Sequence, residues 1–139
     1  MDVKVHEIGE EKARVVVIDG FLPDPDAAVD AAAALAPFPA ETKVAYPGVR
    51  RIIAPSDAAD AYVVAVLEQA APFIGGVFDA DSFDLVEAGF SLVTRRPAEL
   101  APSQSVPHFD STDPRFLAVL HHLHHIPGSG TAFDRHCAT

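Results

Sequence analysis

Twelve prolines are spread over 139 residues. Each fixes φ and removes a backbone donor, so the chain must break into many short segments and has little room for long helices. The segment ends then fall into place. Val3, Val5 and the run Val15-Val16-Val17-Ile18 are β-branched and predict strands over 3–8 and 13–19, with Gly9-Glu10-Glu11-Lys12 as the turn between them. After Phe21-Leu22-Pro23, Asp24 is suited to an N-cap, Pro25 to the first helical position and Asp26 to the positive helix end, so the alanine-rich run to Leu35 reads as a helix stopped by Pro37 and Pro39. Val49-Arg50-Arg51-Ile52-Ile53 predicts a short strand after the Tyr46-Pro47-Gly48 turn.

A second helix is expected after Pro55, capped by Ser56 or Asp57. Tyr62, Val63, Val66, Leu67 and Ala70 lie along one face, and Pro72 to Gly76 ends it. From Asp81 to Thr94 the apolar pattern predicts a long or paired strand, bent at Gly89. Arg95 to Ser105 is a loop, and Val106 to Asp110 is extended because the residue before a proline avoids the helical region. The run 116–126 suits either helix or buried strand: its length and the flanking Pro114 and Pro127 favour a strand, its Leu and Ala a helix. Thr131 to His136 is a final short strand.

An apolar content of 49% supports one core, and the length suits a single domain over 1–139. The net charge of −10 opposes binding to nucleic acid or an anionic membrane; the basic pairs Arg50-Arg51 and Arg95-Arg96 are too small to reverse it. Cys137 is the sole cysteine, which rules out an internal disulfide and suits a reducing compartment. The first seven residues are acidic where a signal peptide would be basic and apolar. No apolar run reaches the roughly 20 residues of a membrane helix; the longest, Ala61 to Phe78, is interrupted by Glu68, Pro72 and Gly75-Gly76. A soluble, cytoplasmic protein is expected.

The residues with most chemical promise lie between 102 and 136. In Pro107-His108-Phe109-Asp110-Ser111 the His and Asp are two apart, so in an extended segment they share a side and both reach one metal ion. They would form two thirds of a 2-His-1-carboxylate set, which holds ferrous iron and leaves positions open. A His-x-Asp triplet also occurs in surface turns, where the Asp caps the next residues, and both readings stand on spacing alone. His121, His122, His124 and His125 form a second cluster. As a helix it places His121 with His124 and His125, a spacing that can hold zinc; as a strand it sets His122 and His124 opposite His121 and His125. The ordinary alternative is a partly exposed strand end. Ser111, Ser129 and Thr131 match no nucleophile motif, Gly128-Ser129-Gly130 lacks the length and lysine of a phosphate loop, and Cys137 beside His136 has no further ligands at suitable spacing.

The order of parts carries more than any one of them. Phe21 to Pro25, Tyr46 to Arg50, Pro107 to Ser111, Leu120 to Leu123 and Gly130 to His136 together resemble the iron(II)/2-oxoglutarate dioxygenase superfamily, in its prolyl-hydroxylase-like branch. More closely they resemble a bacterial family of unknown function within it, which has a Pro-His-x-Asp-Ser motif, a Leu-His-Tyr-Leu strand and a Gly-Gly-Thr-x-Phe-Tyr-Arg-His stretch. This chain departs at His122, Ser129 and Asp134, where that family has Tyr, Gly and Tyr. The resemblance implies an α+β fold, a double-stranded β-helix (jelly-roll) with two N-terminal helices packed on the sheet. It implies His108 and Asp110 as metal ligands, Fe(II) and 2-oxoglutarate as cofactors, and a small-molecule or peptide substrate oxidised as 2-oxoglutarate is decarboxylated.

In such enzymes the second metal His and the Arg or Lys that grips 2-oxoglutarate come later than Thr139. His136 is the substitute third ligand at hand, and the β-helix is expected to be incomplete, without its C-terminal strands. A fold of this kind uses about eight strands in two facing sheets. Open edges and an uncovered apolar face then predict a homodimer through the exposed sheet, or marginal stability. The competing expectation is a non-catalytic relative that binds metal weakly or serves as an interaction module.

Overall fold

The computed structural model describes residues 1–39, 48–93, 98, 111–124, 131 and 133. The expected Tyr46-Pro47 turn and the extended segment 106–110 lie outside them. Strands and helices both occur, with four strands in two antiparallel pairs among the described residues. β1 (Asp2–Ile8) and β2 (Ala13–Asp19) form a hairpin with Val3 opposite Ile18 and Val5 opposite Val16. Its turn closes through the Lys12 amide on the Gly9 carbonyl at 3.2 Å. Gly9 takes φ of +72°, a region open to glycine, and Lys12 takes +53° without that freedom.

α1 (Pro25–Ala34) starts as the sequence predicts, the Asp24 carboxylate accepting from the Ala27 amide at 3.1 Å with Pro25 in the first turn. Ala28 is its buried residue, while Ala31, Ala32 and Leu35 pack against the main core.

β3 (Gly48–Ile52) pairs antiparallel with β4 (Gly89–Val93), from Gly48 opposite Val93 to Ile52 opposite Gly89. The Ile53 amide extends this ladder to the Ala88 carbonyl at 2.9 Å. At Gly48 there is no room for a side chain: a Cβ would run into the Leu92 carbonyl oxygen and lie 2.8 Å from the Val93 Cα. The expected strand from Asp81 is therefore shorter. Residues 81–88 form no strand, and Phe83, Leu85 and Val86 are exposed, because β4 meets a strand partner only from Gly89 onward.

Between β3 and β4 runs α2 (Asp60–Phe78). Its start corrects the expected capping. Asp57 caps a turn instead of the helix: its carboxylate accepts from the Ala54 amide at 2.7 Å and from Arg51 at 3.2 Å, and its own amide donates to the Ala54 carbonyl. The helix begins after Ala59 without a side-chain cap. Its end also differs. Pro72 lies inside the helix, which continues past Gly75-Gly76 to a left-handed cap at Asp79 with φ of +54°. A proline loses one helical bond, but buried Ala70 and Ile74 anchor the helix on either side of it. α2 is thus long and apolar enough, by length and composition, to cross a membrane, contrary to the expectation that this run is interrupted. Its buried residues are Val63, Ala70 and Ile74, and Val63 joins Ile53, Ala59 and Phe90 in the core cluster. Arg14 of β2 donates to the Val77 carbonyl and pairs with Asp79 at 3.3 Å, tying the hairpin to the helix end.

The stretch 111–124 forms no regular element, neither the strand nor the helix weighed for 116–126. Thr131 and Phe133, the described residues of the last expected strand, are exposed and not in a strand.

Candidate functional site

His108, Asp110 and His136 lie outside the described residues, as do His125 and Cys137. What the structure does show is the chain that leaves Asp110. It opens with a self-contained turn: the Ser111 hydroxyl accepts from the Asp113 amide at 3.1 Å, and Asp113 accepts from the Arg115 amide at 2.9 Å. The Asp113 carbonyl accepts from the Phe116 amide at 3.0 Å. The Arg115 guanidinium grips both Asp113 oxygens at 3.2 Å, which holds that carboxyl below its usual range and the guanidinium above its own. Phe116, Leu117, Val119 and Leu120 come next, all exposed.

From His121 to Leu123 the chain meets the domain. Burial alternates, with His121 and Leu123 turned inward and His122 and His124 outward. That period of two is the pattern of extended chain, and it separates His121 from His124, contrary to the helical zinc arrangement. Leu123 packs on the core cluster. His121 enters an aromatic group made by three other parts of the fold: Phe21 after β2, Tyr62 in the first turns of α2, and Phe90 of β4. Phe21 meets the His121 ring edge-on at 5.7 Å between centroids, and Tyr62 stacks on Phe90 at 5.4 Å and on His121 at 5.9 Å. The Tyr62 hydroxyl and His121 Nδ1 are 2.7 Å apart.

Burial holds the His121 imidazole below its ordinary value, with the neighbouring His122 adding to the effect, and burial raises the Tyr62 phenol. The favoured pair is therefore a neutral phenol and a neutral imidazole, with the imidazole tautomer deciding which of the two donates. Such a pair can pass or share a proton, and it fixes the ring's orientation. The basic pair Arg50-Arg51 is engaged internally: Arg50 meets the Ser91 hydroxyl at 3.3 Å and Glu87 at 3.7 Å, and Arg51 meets Asp57 at 3.2 Å. Among the described residues, no three His, Cys, Asp or Glu side chains come together as a metal site.

Sequence reasoning placed Tyr62 on the packed face of a helix and His121 in a His cluster, but did not join them. The available signal was slight: one of only two tyrosines, set in an apolar helical stripe.

No curated protein and no solved structure matches the chain. The family of unknown function DUF6445 matches over residues 1–139, its entire length, and the chain belongs to that family.

Proposed function

We propose that this is a non-haem iron(II)/2-oxoglutarate-dependent oxygenase-like protein of the cytoplasm, built on a jelly-roll of the prolyl-hydroxylase-like kind. The single observation behind the reading is the order of its motifs: Pro107-His108-Phe109-Asp110-Ser111, an apolar run, a glycine turn and Thr131-x-Phe133. The alternation from His121 to His124 is in keeping with extended chain after the motif. His108 and Asp110 would hold the metal, with His136 as third ligand; a neutral imidazole and an anionic oxygen are the donor chemistry that ferrous iron takes. When bound, iron and 2-oxoglutarate supply oxidising power for a small-molecule or peptide substrate.

Anaerobic addition of ferrous iron and 2-oxoglutarate should give a weak visible charge-transfer band that His108→Ala or Asp110→Ala abolishes. No band from the parent chain, together with iron retention unchanged by His108→Ala, would dismiss the reading.

A second reading, a non-catalytic interaction module, is favoured by one observation: Phe116, Leu117, Val119 and Leu120 stand exposed within a single segment. A homodimer through this apolar surface would be dispersed by Leu120→Lys in sedimentation, with no bearing on the iron band.

A further inference from the structure

We propose that Tyr62 and His121 form a proton-operated latch that holds the segment 111–124 on the domain. The inference is independent of the oxygenase reading, since neither residue belongs to the proposed iron set. Among the described residues the segment has little else to hold it. Residues 111–120 are all exposed, and the bonds of Ser111, Asp113, Arg115 and Phe116 are internal to its turn. Contact with the domain is made by Leu123 on the core cluster and by His121. Among the described residues, the side-chain hydrogen bond linking the segment to the rest of the fold is Tyr62 to His121, at 2.7 Å.

With its proton on Nε2, a neutral His121 accepts that bond at Nδ1. Once protonated, Nδ1 has no lone pair to offer, so the hydroxyl must reverse its role and its own proton loses its acceptor. The new charge sits in a half-buried aromatic setting, next to His122. The rings touching it are Phe21 and Tyr62, and the other ring and titratable groups on the elements that meet there can be named in turn. α2 brings Tyr62 and, in its first turn, Asp60; β4 brings Phe90; the loop after β2 brings Phe21 between Asp19 and Asp24; the segment itself brings His122 and His124. None of those three carboxylates forms an ion pair with His121. The Tyr62 and Phe21 rings attract a cation weakly, and burial outweighs them in the direction of the shift.

His121 binds its proton less readily docked than free. The docked state is therefore favoured most above the ordinary imidazole value of about 6.5 and loses that advantage as pH falls through the lower docked value. Acidification releases the chain that directly succeeds the Pro107 to Asp110 motif.

Arg115 provides the readout, its side chain being 89% exposed within the segment. Trypsin cleavage after Arg115 would be measured on the full chain from pH 7.5 to 5.5, each rate divided by that of an unstructured peptide of the same local sequence. The normalised rate should rise severalfold across that range, because the free segment takes up its proton before the docked one does. His121→Phe keeps an aromatic ring but cannot titrate, and should flatten the profile. Tyr62→Phe keeps the stack, loses the hydroxyl, and should raise cleavage already at pH 7.5. A normalised rate that is constant with pH, or a slope that survives in His121→Phe, would overturn the latch.

Discussion

β1–β2 joins seven residues to seven across the turn Gly9 to Lys12, whereas β3–β4 joins five to five with the whole of α2 in between. The longer ladder is the more exposed: Val3, Val5 and Val17 of the hairpin all face solvent, while the shorter ladder supplies Phe90 and leads into Ile53 of the core. Loop closure explains the division of labour. A hairpin closes at small entropic cost and can form on local bonds and β-branched residues alone. A pair closed around a helix must recover a larger cost by burying side chains against that helix. Stability thus resides where the sequence separation is largest, and the hairpin is an attachment held at Arg14 and, more weakly, where Gln69 donates to the Met1 sulfur.

Three substitutions test this contrast. Phe90→Ala removes a side chain only 6% exposed that packs in the core and stacks on Tyr62, and should cost about 3–5 kcal/mol in denaturant unfolding. A loss below about 1 kcal/mol would mean that β3–β4 does not carry the core. Gly48→Ala places a methyl against the β4 backbone, which cannot swing aside as a side chain could. It should cost about 1–3 kcal/mol, with hydrogen exchange rising along β3 and β4 but not along β1 and β2. Arg14→Ala should cost less than about 1 kcal/mol, since its pair with Asp79 is largely exposed. Its mark should be faster exchange in the hairpin and the last turn of α2, with the β3–β4 ladder unchanged. Equal loosening of both sheets would erase the distinction.

Local signals were legible wherever local bonds decide the structure. Asp24 and Pro25 announce α1 because a cap needs only the next three residues. The hairpin could be read from its β-branched runs and Gly9. Asp57 misled because its carboxylate has a competing use, closing a turn onto Ala54 and binding Arg51, and that depends on where β3 places Arg51. Pro72 misled in the same way: propensity argues for a break, and packing of Ala70 and Ile74 overrides it. At the candidate site, the His cluster was visible but not its inward and outward faces. Tyr62 and His121 are fifty-nine positions apart, a pairing that no spacing rule reaches. His108, Asp110 and His136 were legible as motif residues only, by type and order.

Pro72 has one more effect. By lacking an N–H it leaves the Glu68 carbonyl short of its helical donor, on a side open to solvent, so α2 has a built-in fault line between its two halves. The half toward Asp60 carries Val63 and Tyr62, and with them the core and the aromatic group; the half toward Phe78 carries Ile74 and the Val77 carbonyl that receives Arg14. Fraying that starts at the C-terminal end can stop at this boundary, loosening the hairpin at Arg14 while the buried centre stays assembled.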